Sequence, residues 1–155
     1  MNRRKQKKLS GRLVEAALCA EAGTVRALVR AGADPGGTNA HGTTPLYAAA
    51  VGGATEIVTC LLDAGACPDA ESRDETEGTP LCAAAAWGHA DVVRLLLAHG
   101  ADPGLREDDG EGRSPLEWAG SGHHTETVAL LLAAGARSPD GTTRAATPAG
   151  RQRPS

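Results

Sequence analysis

The stretch from Gly78 to Pro103, GTPLCAAAAWGHADVVRLLLAHGADP, reads as two short helices joined at a glycine. Thr79 and Pro80 open the first. A hydroxyl at the N-cap satisfies a free amide, and a proline at the first helical position gives up an N–H that would have had no partner. Leu81, Ala84 and Ala85 form an apolar i, i+3, i+4 stripe. After Gly88 a second helix carries Asp91 in its first turn, where a carboxylate suits the helix dipole. Val92, Val93, Leu95, Leu96 and Leu97 give it a wide apolar face. Gly100 closes it as a left-handed C′ residue does. Two short helices that are apolar on several sides cannot bury that surface against each other alone, so the unit requires copies of itself before and behind it.

The copies are present. GTTPLYAAAVGGATEIVTCLLDAGACP starts at Gly42 and GRSPLEWAGSGHHTETVALLLAAGAR at Gly112. Thr44-Pro45-Leu46, Thr79-Pro80-Leu81 and Ser114-Pro115-Leu116 fall 35 residues apart, and the closing glycines Gly32, Gly65, Gly100 and Gly135 are spaced by 33, 35 and 35. A degenerate pair, Gly11 to Ala20 and then Gly23 or Thr24 to Ala31, precedes them. It lacks the Thr-Pro start and carries Arg12 and Glu15, as a terminal unit with one face in solvent requires.

This period, with T-P-L-x-x-A-A, G-H and G-A-D at fixed offsets, resembles that of ankyrin repeats, about 33 residues with a T-P-L-H-x-A signature. The resemblance covers residues 11–137 and implies an all-α fold: an ankyrin-repeat solenoid of stacked helix-turn-helix units with hairpin-like connecting loops. It divides the chain into a basic N-terminal extension (1–10), an N-terminal capping repeat (11–41), repeats at 42–77 and 78–111, a C-terminal repeat (112–137) and a tail (138–155). The extension is expected to fray. The tail, SPDGTTRAATPAGRQRPS, has no apolar periodicity to offset ordering entropy and is expected to be disordered. Two departures stand out. Where the family has His after Thr-Pro-Leu, this chain has Tyr47, Cys82 and Glu117, so the hydrogen bond credited to that His is missing or replaced. The loops after Ala66 and Ala101 are each two residues longer than the one after Ala33.

Composition agrees with thin helical layers. The 155 residues are 41% apolar but include no Phe, one Tyr and two Trp, so the core is built from Ala, Leu and Val. Such a core suits closely approaching helices and suits poorly a thick sandwich or a large ligand cavity. Lys is absent after residue 8 while Arg, Ala, Gly and Pro abound, a usage that GC-rich bacterial codons produce. Cys19, Cys60, Cys67 and Cys82 show no CxxC spacing, and Arg12, Glu15 and Glu21 break any signal-peptide core; free thiols in a reducing cytoplasm are expected. No apolar run approaches the ~18 residues of a membrane span.

No catalytic, cofactor-binding or metal-ligating set is legible. GxGxxG, GxxxxGK[ST], GxSxG and HExxH are absent, as is the D-x-[DN]-x-[DN]-G calcium spacing. His123 and His124 are adjacent and diverge on a helix, so they read as ordinary loop residues. His89, in the Gly-His junction, reads as a structural hydrogen-bonding group.

The resemblance implies a partner-binding face on the concave groove and loops. It comprises Thr38, Ala40, His41, Thr43 and Tyr47 from one repeat, Glu75, Glu77, Cys82, Ala86 and Trp87 from the next, and Asp108, Asp109, Glu111 and Arg113 from the last. Trp87 falls where the family's pattern varies, and an exposed Trp is a plausible hot spot. Trp118 stands where earlier repeats have Ala48 and Ala83, and is expected to cover the C-terminal end of the core. Two acidic runs, Glu71, Asp74, Glu75, Glu77 and Glu107, Asp108, Asp109, Glu111, are expected to lie side by side about one helix diameter, ~10 Å, apart. Such a field steers a basic partner.

The expected function is thus a non-enzymatic protein–protein interaction module, monomeric, without a small-molecule substrate. The alternative is an adaptor for nucleic acid or an anionic surface through Arg3, Arg4, Lys5, Lys7 and Lys8. The net charge of −3 and the lack of interleaved aromatics weigh against nucleic acid.

Overall fold

The computed structural model describes residues 2–73 and 78–137. Eight α-helices among the described residues form four pairs: α1 (Arg3–Leu18) with α2 (Ala22–Arg30), α3 (Pro45–Val51) with α4 (Thr55–Asp63), α5 (Pro80–Trp87) with α6 (Ala90–Ala98), and α7 (Pro115–Ser121) with α8 (Thr125–Ala133). The first helices pack in the order α1, α3, α5, α7 and the second helices in the order α2, α4, α6, α8. The result is a two-layered, all-α stack of repeats.

Local chemistry accounts for each pair. Thr44, Thr79 and Ser114 are extended N-cap residues whose hydroxyls accept the amides of Tyr47, Cys82 and Glu117, and a proline follows each. The closing glycines Gly32, Gly65, Gly100 and Gly135 have φ of 88°, 96°, 87° and 98°, the left-handed conformation expected of them. Between the caps, α5 is buried from Pro80 to Ala85, because it lies between α3 and α7 and also against α6. Alanine at these positions lets three neighbours approach at once. The core runs without a break from Leu13 and Val25 through Leu46, Leu61, Leu81 and Leu96 to Leu131.

The first repeat departs from expectation. Its helix begins at Arg3 rather than Gly11, with the Asn2 side chain accepting the Arg4 amide as an N-cap. Residues expected to fray are therefore helical from Arg3 onward. Arg, Lys and Gln are good helix formers, and Gln6 Nε2 reaches the Gly32 carbonyl at 3.3 Å, tying this turn to the end of α2. The tail at 138–155 lies outside the described residues.

Histidines connect successive repeats. The His89 Nε2–H donates to the Val51 carbonyl and the His124 Nε2–H to the Ala86 carbonyl, both at 3.0 Å. Each thus binds the end of the preceding repeat's first helix, as the structural reading of His89 expects. Ion pairs Arg26–Glu56 and Arg94–Glu126 make similar links between the second helices.

The turn inside each pair places one residue in the left-handed region: Ala20 (57°), Gly53 (66°), Gly88 (71°) and His123 (57°). Only the middle two are glycine. His123→Gly is therefore expected to stabilise the fold by about 0.5–1 kcal/mol, the relief of an L-residue's left-handed strain less glycine's extra unfolded-state entropy. Urea unfolding checks this: the midpoint should rise at unchanged m, and a lower midpoint would contradict it.

Candidate partner-binding face

Equivalent backbone pairs close the three loops that precede α3, α5 and α7. Asn39 N–H donates to the Thr43 carbonyl; Ser72 and Gly78 exchange bonds at 2.8 and 3.1 Å; Glu107 N–H donates to the Arg113 carbonyl. The first of these pairs spans four residues and the others six, which places the two-residue enlargement inside the closed loops. The buried Ser72 hydroxyl accepts the Thr44 amide at 3.0 Å, fastening the second loop to the start of α3.

The enlarged loops meet more closely than one helix diameter. Asp108 N–H donates to Glu71 Oε1 at 2.6 Å, and Arg73 lies 3.6 Å from Asp109. Asp108 and Asp109 both take left-handed φ, 52° and 51°, to make this turn. Some of the acidic charge is thereby compensated within the loops, while Asp108, Asp109 and Glu111 remain exposed. Glu75 and Glu77, with Asp74, lie outside the described residues.

Along the first helices runs an open depression of about 500 Å³. Trp87, at the end of α5, is 64% exposed on its rim, with half-buried Ala86 beside it. Tyr47 of α3 forms another wall. Thr38, Ala40, His41 and Arg113 are exposed on the neighbouring loops.

Two expectations need correction. Cys82 is 1% exposed and Thr43 is buried, so Cys82 is floor beneath the depression and neither offers contact surface. For Cys82 the cause is the stacking of α7 on α5, which covers the position after Thr79-Pro80-Leu81. Trp118, expected to cover the C-terminal end of the core, does pack against the core, and it also lines the depression with Trp87. Its indole N–H donates to Glu107 Oε2 at 2.7 Å, which turns the ring toward the preceding repeat. Glu107 itself, read only as one of several loop acids, is a half-buried wall of the same space. The signal available for Trp118 was its substitution for the alanine of the repeats before it.

The position where the family has His is re-used differently in the last two repeats. The Cys82 thiol faces the carbonyls of Arg113 and Leu105 at 3.7 and 4.0 Å. Glu117 closes a capping box, accepting the Ser114 amide at 2.7 Å, and pairs with Arg106 at 3.0 Å. The missing hydrogen bond is replaced at both sites.

Burial pushes the Cys82 thiol far up, so at neutral pH it stays protonated and unreactive. Burial likewise raises the Glu107 carboxyl, against the opposing pull of its Trp118 and Cys82 hydrogen bonds. Glu117 is lowered, first by the Ser114 amide and also by Arg106. All four cysteines are free thiols. Among the described residues no three His, Cys, Asp or Glu side chains converge on a metal-sized site, and no helix is long and apolar enough to cross a membrane.

Comparison with known proteins agrees with this geometry. The family model for ankyrin repeats (3 copies) matches residues 13–107 and 68–143. No curated protein is matched by the chain. The family matches cover most of the sequence and coincide with the Thr/Ser-Pro caps, left-handed closing glycines and stacked helix pairs described above; the chain belongs to the ankyrin-repeat family.

Proposed function

We propose that this ankyrin-repeat chain is a non-enzymatic protein-interaction module, which holds a partner protein through the groove along its first helices and through the acidic loops beside it. The observation that carries this reading is Trp87, a large apolar side chain 64% exposed at the rim of a depression that Tyr47, Trp118 and Glu107 also line. Tryptophan is prominent among residues that dominate binding energy when a partner desolvates them. The adjoining loops add a negative potential that favours a basic partner and speeds its encounter.

Affinity capture from the native host's lysate tests the face. Wild-type protein is compared with Trp87→Ala and with a variant neutralised at Glu75, Glu77, Asp108 and Asp109. A specific protein should be lost with at least one variant. Capture of the same partner by both would sink the proposed face.

One observation favours a second reading, an anionic-surface or nucleic-acid contact through α1. Arg3, Arg4, Lys5, Lys7 and Lys8 are all exposed on an ordered helix rather than on a frayed arm. Binding to DNA or anionic vesicles at low salt that disappears when these five are changed to glutamine would support it.

A further inference from the structure

Tyr47, Trp87 and Trp118 are all the aromatic residues in the chain, and all three line one depression. They come from three successive first helices, α3, α5 and α7, and occupy different positions in their repeats. A sequence so poor in aromatic residues has gathered every one of them at a single place on its surface.

The remaining distinctive wall is Glu107. Its Oε2 accepts the Trp118 indole N–H. Its Oε1 lies against the Gly78 backbone, where a Cβ would stand 2.3 Å away, so the carboxylate occupies space that only glycine leaves open. The Cys82 thiol is its other close neighbour. These partners are neutral. Among the described residues, Glu117 has Arg106 and Asp109 has Arg73, whereas no cation forms an ion pair with Glu107. Arg113 attracts this half-buried carboxylate from outside pairing distance while Glu71 repels it, and a cation arriving at pairing distance stabilises it further.

Indole faces are the best aromatic partners for cations. The protein uses one already: the Arg113 guanidinium stands 4.8 Å from the centroid of Trp118. Arg113 is not a wall of the depression, so this internal cation does not fill it. We infer that the depression receives one arginine side chain of a partner protein, its guanidinium stacked on the indole surface and paired with the Glu107 carboxylate. A planar, weakly hydrated guanidinium can stack on a ring and donate at its edge together, which a compact ammonium cannot do. This assignment rests on the protein-interaction reading above and names the chemistry of its contact.

The test uses the full chain and a soluble Gly-Ser peptide with one central arginine, compared with peptides carrying citrulline, lysine or trimethyllysine in its place. The two tryptophans give two indole N–H resonances, and that of Trp118 reports on its bond to Glu107. The arginine peptide should shift both resonances saturably at low salt and bind at least tenfold more tightly than the citrulline peptide. Glu107→Gln should weaken it about tenfold while the melting temperature stays level or rises. Trp87→Ala, at an exposed site that folding tolerates, should weaken it as well.

The inference is overturned by the absence of a saturable shift, by equal binding of citrulline, by unchanged affinity in Glu107→Gln, or by tighter binding of lysine or trimethyllysine. If the peptide fails while lysate capture still depends on Trp87, the arginine assignment falls and the interaction face stands. If the peptide binds as expected while capture ignores both face variants, the arginine site stands and the wider face falls.

Discussion

Leu96→Ala should lower the unfolding free energy by about 2–5 kcal/mol. Leu96 is 0% exposed in the middle of α6, where it belongs to the core that α6 shares with α4 and α8. Truncation there removes apolar contacts and leaves a void, and collapse is hindered because helices are packed on both sides of α6. Domains are stable by only about 5–15 kcal/mol, so this one change consumes a large share. Urea unfolding followed by circular dichroism measures it, and a loss below about 1 kcal/mol would argue against the stacked core. Trp87→Ala is the natural comparison: at a mostly exposed site it should change stability by no more than about 0.5 kcal/mol. Core and face are then separated by the same experiment.

Gly88→Ala should cost about 2–4 kcal/mol, and Gly100→Ala only about 1 kcal/mol. Both glycines have left-handed φ, 71° and 87°, so both alanines meet the conformational penalty. The surroundings differ. A Cβ at Gly88 would stand 2.4–2.8 Å from the ring of His124, whereas nothing lies within 4 Å of one at Gly100. The Gly88 variant must therefore displace His124 and with it the bond to the Ala86 carbonyl that joins the last two repeats. Equal losses in the two variants would mean that the histidine is not seated as described.

Much of the fold was legible because the informative interactions are short in sequence. An N-cap hydroxyl acts on an amide three residues away, a closing glycine ends its own helix, and a loop's length is counted directly. Thr79-Pro80 and Gly100 therefore suffice to delimit α5 and α6, and the 35-residue recurrence extends that reading down the chain. The start of α1 escaped because a cluster of positive charges resembles a solvated arm. Its helix is supported by the Asn2 cap and by Gln6 on Gly32, the latter a contact between residues 26 apart.

The candidate site divides in the same way. Trp87 was legible as an exposed residue because it falls where the ankyrin-repeat pattern varies. Glu107 was indistinguishable in sequence from Asp108 and Asp109, yet they have opposite surroundings: the two aspartates are exposed, and Glu107 is drawn inward to Trp118. Cys82 presented the reverse error, since nothing in its own repeat announces that the next one covers it.

The amino-acid pattern by itself determined the repeat, its caps, its glycine stops and the need for neighbours, since each follows from backbone chemistry within one helix pair. Only the tertiary structure decided which side chains share a space. Tyr47, Trp87, Trp118 and Glu107 meet because α3, α5 and α7 stack in register, and the identity of a residue carries no record of which neighbour's surface it will face.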